Sequence, residues 1–169
     1  MTDWTVTTAG EFVFENTRLR AALGKGGVIA ESDKREGDGA TPIGRWPVRR
    51  VLYRSDRGPA PETALPVRPI TEDDGWCDAP GDAAYNRPVR LPYPASAESL
   101  MREDGLYDII VILGHNDDPP VDSAGSAIFL HCARPDYGPT LGCVALAKDA
   151  LREVLKAMNP GDTLGVTPG

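Results

Sequence analysis

Ile128-Phe129-Leu130-His131, followed at 140–146 by Thr140-Leu141-Gly142-Cys143-Val144-Ala145-Leu146, decides how this chain is read. The first piece is an apolar run ending on one of only 2 histidines in the sequence. It reads as a buried strand, and a strand end holds an imidazole as rigidly as a general base requires. The second piece sets a cysteine directly behind a glycine, with residues 132–142 in between. A thiol needs a base close by to become a strong nucleophile, and this pair supplies both. The order, His before Cys, differs from the papain-like order, in which Cys comes first.

Beyond Cys143, the residues Ala147, Ala150, Leu151, Val154, Leu155 and Met158 recur at helical spacing, and Asn159-Pro160-Gly161 stops that helix. A helix starting within a turn of Cys143 would favour its thiolate through the field of the helix N-terminus. Gly142 lets backbone approach a substrate carbonyl closely. The N–H groups of Gly142 and Cys143 are therefore candidates for an oxyanion hole.

Working outward, the chain is rich in short strand signals. Thr5-Val6-Thr7 and Glu11-Phe12-Val13-Phe14 read as strands joined at Ala9-Gly10, and Leu19 to Leu23, Val28-Ile29-Ala30 and Arg49 to Tyr53 continue the pattern. Asp108-Ile109-Ile110-Val111-Ile112-Leu113 is a continuous apolar run and predicts a strand buried on both faces. Leu164-Gly165-Val166 predicts the last strand. Ser96 to Glu103, with Ser96 as N-cap, predicts a short helix. Residues 55–95 carry many Pro, Asp and Gly and only weak periodicity, so short pieces that shape a site are expected there. Residues 32–39 read as a polar loop in which Lys34 and Arg35 are solvated.

With 169 residues, 18 Gly and 16 Pro, the chain is long enough for one domain, expected over 1–169, dominated by turns and strands. The net charge of −7 comes without any long Lys/Arg cluster, which argues against nucleic acid and anionic membrane surfaces as partners. The odd count of 3 cysteines, Cys77, Cys132 and Cys143, does not make a complete disulfide framework. Met1 to Val6 lacks the basic and apolar regions of a secretory signal, and no run of apolar residues is long enough to span a membrane. A cytoplasmic location is expected for the chain as written, and a periplasmic one for a processed form.

Set in this strand–loop–Cys frame, the Gly142-Cys143-Val144 motif after His131 resembles the L,D-transpeptidase catalytic domain, the YkuD family. Thr41-Pro42-Ile43-Gly44-Arg45-Trp46 is similar to the family's T-P-x-G strand. Gly114-His115-Asn116-Asp117 occupies the place of another family segment, and Pro160 to Val166 resembles its closing strand. The resemblance runs from about residue 20 to the C-terminus. It implies a mainly β fold with some α structure, sandwich-like, of mixed strands with a helix after the cysteine. It implies Cys143 as nucleophile, His131 as base and the main-chain carbonyl of Cys132 as the group orienting the imidazole. The implied substrate is a peptidoglycan stem tetrapeptide or muropeptide. The thiolate attacks at the L-centre of the diamino acid, the terminal D-residue leaves, and the thioester passes to an amine or to water. No cofactor is implied. The chain departs from the family pattern at Leu141, where many members have His, at Ala145, where many have a polar residue, and at Cys132, where Gly is common. Cys132 also stands close enough in sequence to suggest oxidation with Cys143.

The remaining candidates each have a plainer reading. His115 follows a strand and a glycine and is a candidate for substrate binding or a second proton relay, against a structural hydrogen bond. Asn116, Thr140 and Leu141 are counted among the substrate contacts. Arg134 and Tyr137, in the His–Cys loop, are candidates for a lid or for pairing a substrate carboxylate, against a solvated loop. Trp76 is expected to pack over a loop, with a substrate wall as the alternative. Asp117-Asp118 runs straight into Pro119-Pro120 and does not make a metal loop. Four alternatives compete with amine transfer. They are a carboxypeptidase trimming recycled muropeptides, an inactive module binding wall fragments, a sortase-like enzyme, and a zinc site drawn from His115, His131, Cys77, Cys132 and Cys143. The sortase reading lacks an Arg on a strand after Cys143. The zinc reading lacks any C-x2-C pair, and His131 and Cys132 point to opposite faces of a strand.

Overall fold

Short alternating runs closed by Gly, Pro and Asn turns build a predominantly β structure in the computed structural model, which describes residues 1–169. The strands of the first half are β1 (Asp3–Thr7), β2 (Glu11–Phe14), β3 (Thr17–Ala22), β4 (Val28–Ala30), β5 (Thr41–Tyr53), β6 (Val67–Pro69) and β7 (Asp74–Cys77). Those of the second half are β8 (Pro88–Arg90), β9 (Ala97–Ser99), β10 (Ile109–Leu113), β11 (Phe129–Cys132), β12 (Val144–Leu146) and β13 (Thr163–Thr167). The only α-helix, α1 (Lys148–Ala157), lies between β12 and β13.

The long strand β5 organises the rest. Its first half pairs with β13, from Gly44↔Val166 to Pro47↔Thr163, and its second half pairs with β10, from Val48↔Leu113 to Tyr53↔Ile109. Arg49 is skipped where Ile112 faces Arg50 and Leu113 faces Val48, a bulge that bends the strand from one partner to the other. Following the remaining pairings in order β10, β11, β12, β3, β2, β1, β13 returns to β5, so the strands close into a mixed, barrel-like circuit. Closure leaves few open edges for other chains to pair with.

Burial follows from this arrangement. Every residue of β10 is buried, and its two faces serve two different cores. Ile109, Val111 and Leu113 join the larger core, with Trp4, Phe12 and Trp46. Ile110 and Ile112 join a smaller one, with Leu52, Trp76 and Phe129. The two-sided burial expected of this run is observed. Helix α1 turns Leu151, Val154 and Leu155 onto the larger core at the i, i+3, i+4 spacing of an amphipathic helix.

Two expectations are corrected. Ser96 to Glu103 does not form a helix, because Ala97–Ser99 is strand β9, paired to β7 through Cys77↔Ala97, Trp76↔Glu98 and Gly75↔Ser99. The backbone groups that a local helix would satisfy are taken by β7 instead, and Leu100 is buried in the smaller core. Tertiary pairing here overrides a weak cap signal. Thr41 to Val48 does not merely lead into a strand, since it is the first half of β5. The stretch 55–95 does carry short strands, and β7, β8 and β9 form a separate three-stranded sheet beside the smaller core.

The ends of the chain are tied by Asp162. Its carboxylate, 1% exposed, accepts from the Trp4 indole at 2.9 Å, the Thr2 N–H at 2.7 Å and the Asn159 N–H at 2.9 Å. Asp162→Ala leaves the buried indole N–H without a partner. A loss of roughly 3 kcal/mol or more is expected in urea unfolding.

Candidate active site

The parallel pairing of β11 with β12 places the two chemical groups. Leu130 faces Val144 and His131 faces Ala145 in register. Side chains alternate along a strand, so Phe129 and His131 share one face with Cys143 and Ala145. The residues between them, Leu130, Cys132, Val144 and Leu146, point into the larger core instead. His131, Cys143 and Ala145 line one cavity of about 420 Å³.

His131 is 4% exposed, and its Nδ1 lies 2.8 Å from the carbonyl oxygen of Cys132. That contact makes Nδ1 the protonated nitrogen and leaves Nε2 the basic one, with no hydrogen bond inside the chain. Tyr107 packs edge-on against the ring at 5.4 Å between centroids. Burial pushes the His131 imidazole down to about 4, with the Cys132 carbonyl pulling the other way. The Cys143 thiol donates to the Ala127 carbonyl at 3.1 Å and accepts from the Phe129 N–H at 3.3 Å. Burial pushes it up to about 12, only partly offset by the Phe129 N–H. Both shifts act in the same sense, favouring a neutral thiol and a neutral imidazole over an ion pair.

Three supports hold this geometry. Gly142 has φ +133°, and a Cβ there would lie 2.9 Å from the Ala40 carbonyl, so the turn into Cys143 requires glycine. Thr140 clips that turn, its hydroxyl donating to the Cys143 carbonyl at 2.7 Å and accepting from the Gly142 N–H at 3.0 Å. Asn86, which sequence reasoning passed over, is buried with its amide fully engaged. It accepts from the Trp76 indole and the Ala127 N–H, and donates to the carbonyls of His115 and Asn116. It thereby fixes Ala127, the residue whose carbonyl holds the thiol.

Several expectations change in this light. Helix α1 starts at Lys148, after β12, so its N-terminal field does not fall on Cys143. The Gly142 N–H is engaged by Thr140 and is not free to receive an oxyanion in this state. The Cys132 sulfur sits on the opposite face of the sheet from Cys143, 4.0 Å from the Ile109 carbonyl, so the two thiols are not poised to oxidise together. Arg134, Thr140 and Leu141 line the cavity, and Leu141 is 73% exposed at its rim. His115, Asn116 and Tyr137 do not line it. His115 is buried against Trp46 with ring centroids 4.7 Å apart. The Asn116 side chain closes its own loop through Val121 and Gly125, and the Tyr137 ring lies under the Arg20 guanidinium. Lys34, expected in solvent, is buried at the cavity, where its ammonium pairs with Asp38. Glu36, Asp78, Glu98, Arg102 and Tyr107 also line the cavity. They come from separate loops and strands, and no local motif marks them.

The buried ionisable groups predict how stability depends on pH. His115 and His131 both sit at about 4 in the fold, each through burial, against 6.5 when free. Between those values the unfolded chain binds protons that the folded chain does not, so these groups make stability fall as pH drops from 6.5 toward 4. Burial raises Glu98 from 4.5 to about 7, which acts in the opposite sense, lowering stability as pH rises across that interval. Glu98→Gln removes the opposing group. The dependence of Tm on pH between about 4.5 and 6.5 is expected to become roughly twice as steep, read by calorimetry.

A sequence comparison with curated proteins gives no match. Among solved structures, L,D-transpeptidase 1 of Mycobacterium tuberculosis aligns at 16% identity with a TM-score of 0.44. That alignment covers 98% of this chain and 60% of the other, so this chain spans about 60% of the length of that protein. The pattern of the YkuD family, the L,D-transpeptidase catalytic domain, matches residues 5–166, and over nearly its whole length the chain belongs to that family.

Proposed function

We propose that this chain, as one catalytic domain, carries out cysteine-dependent acyl transfer on peptidoglycan stem peptides. The observation that carries the reading is the placement of a tautomerically fixed His131 and of Cys143 on one sheet face at one cavity, in a chain of the YkuD family. His131 Nε2 takes the thiol proton as Cys143 Sγ bonds to the carbonyl carbon at the L-centre of the diamino acid. The peptide C–N bond then breaks, and the imidazolium returns the proton to the departing amine of the terminal D-residue. The resulting thioester passes to an acceptor amine, which restores the thiol.

The neutral resting pair fits this order of events. Burial disfavours a standing thiolate, so deprotonation is concerted with attack and not completed beforehand. Arg134, Thr140 and Leu141 are the substrate contacts at the rim in this reading, and Gly142 supplies the close backbone approach. The wall-fragment peptide is the partner. Transfer to water in place of an amine is the second outcome of the same chemistry.

The test is mass spectrometry of a disaccharide-tetrapeptide incubated with the protein, with and without a free D-amino acid. Loss of the terminal D-Ala with exchange of the added amino acid, or dimer formation, supports transfer to an amine. Loss to water alone establishes a carboxypeptidase. An unchanged tetrapeptide with folded protein overturns the reading in favour of a binding module.

A further inference from the structure

The thiol rests on two residues outside the strands, both in left-handed backbone. Ala127, whose carbonyl accepts from the thiol at 3.1 Å, has φ +54°, and Gly142, which turns the chain into Cys143, has φ +133°. A left-handed alanine is unfavourable and persists only where its surroundings hold it. The β11–β12 ladder begins after both residues, so other contacts must fix them.

One segment, residues 34–40, bears on both. On the Ala127 side the Lys34 stem packs against Gly125, where a Cβ would lie 3.1 Å from Lys34 Cε. The Glu36 N–H donates to the Ser123 carbonyl at 2.8 Å, and Glu36 Oε1 accepts from the hydroxyls of Tyr85 at 2.7 Å and Ser126 at 2.6 Å. On the Gly142 side the Ala40 carbonyl backs the Cys143 turn, 2.9 Å from where a Cβ on Gly142 would stand. The Gly39 carbonyl accepts from the Gly26 N–H at 2.9 Å, and the next N–H back, that of Lys25, donates to the Thr140 carbonyl at 2.8 Å.

Asp38 sets the shape of this segment. Its Oδ1 accepts from the Ala40 N–H and its Oδ2 from the Arg35 N–H, each at 2.9 Å, and it pairs with the buried Lys34 ammonium. Burial pushes its carboxyl up, but Lys34 and the two N–H groups outweigh that and hold it below the usual carboxylate range. Asp38 does not line the cavity, so it reaches the reaction only through the residues it holds.

Resting on the acyl-transfer reading above, we propose that residues 34–40 are a brace that fixes Cys143 relative to His131, with Asp38 as a positioning residue. Asp38 holds Ala40, Ala40 backs Gly142, and Gly142 carries Cys143. Glu36 holds the segment leading into Ala127. Burial disfavours a standing thiolate, so the proton must pass directly from Sγ to Nε2 during attack. A displacement of about 1 Å costs on the order of 100-fold in such a step.

Two double variants separate this role from general stability. Lys34→Met/Asp38→Ala removes the acceptor for the Ala40 N–H without leaving a buried charge alone. Lys34→Met/Asp38→Asn restores that acceptor and shares the Lys34 change, so any effect of Lys34 itself cancels between them. Acylation by the disaccharide-tetrapeptide and alkylation of Cys143 by iodoacetamide are both followed by mass spectrometry. In the Asp38→Ala double variant, acylation is expected to fall roughly 30- to 100-fold with KM within about 2-fold, and Cys143 alkylation to rise roughly tenfold. The Asp38→Asn double variant is expected to recover most of both. Cys77 and Cys132, buried elsewhere, are the internal reference, because general loosening would expose all three thiols.

Equal acylation and equal Cys143 alkylation in the two double variants overturn the proposal, as does alkylation that rises at all three cysteines together. Glu36→Ala tests the other end of the brace should the Asp38→Ala double variant fail to fold. A smaller rise confined to Cys143 is expected there, and an unchanged rate overturns the proposal. A wild-type protein that forms no acyl-enzyme removes the acyl-transfer reading, whereas the alkylation rates, which need no substrate, still decide whether the brace seats the thiol.

Discussion

Cys143→Ala is expected to abolish release of the terminal D-residue from a stem tetrapeptide, with a fall in rate of at least about 10⁴-fold. No other group at the cavity replaces the sulfur. Cys132 lies on the far side of the sheet in the larger core, and Cys77 belongs to the three-stranded sheet. The substitution removes one buried atom and two weak sulfur contacts, to Ala127 and Phe129, so the fold should survive with a change of roughly 1 kcal/mol. Intact-protein mass should show a tetrapeptide-derived adduct on the wild type and none on the variant. The environment of the thiol adds a further expected result. Because burial holds it up to about 12, alkylation by iodoacetamide at neutral pH should be slow compared with an exposed cysteine. Rapid alkylation would show that the thiolate is formed at rest and would contradict the concerted step.

His131→Gln is expected to slow acylation by roughly 10²–10⁴-fold with the fold retained. Glutamine offers a side chain of similar reach that can still donate to the Cys132 carbonyl, but it has no basic nitrogen for the thiol proton. The wild-type pH profile checks the same assignment. The base acts when neutral, and burial puts its protonation at about 4, so activity should persist on the acid side well below the 6.5 of a free imidazole. A profile that falls away near pH 6.5 would mean that His131 is solvated during turnover or is not the base. In His131→Gln that limb near pH 4 should be absent from the residual rate.

Much of this molecule was legible in particular residues. Ile109 to Leu113 reads as a strand buried on both sides because neither face of the run carries a polar side chain, and its two faces do fill two cores. The spacing of Leu151, Val154 and Leu155 sets the only α-helix, since local periodicity and core burial agree there. The strand that carries His131 and the glycine before Cys143 were legible as well, because a backbone turn and an apolar run are local properties.

The failures share a cause. Ser96 carries an N-cap signal, but β9 forms because β7 offers backbone partners from twenty residues away, and that offer leaves no trace in the local sequence. Lys34 looks like a solvated loop lysine until Asp38 and the cavity wall enclose it. His115 and Asn116 follow a buried strand toward the site, yet Trp46 and the 116–125 loop take up their side chains before they reach it. Periodicity and short motifs alone carry the strand-rich class, the helix after Cys143 and the family, and they single out His131 and Cys143 as candidates. Burial of the thiol, the hold of Asn86 on Ala127 and the placement of Glu36, Asp78 and Glu98 at one cavity come from the tertiary structure alone. Those properties depend on solvent exclusion and on contacts between segments distant in sequence, which arise only once the strands have closed on one another.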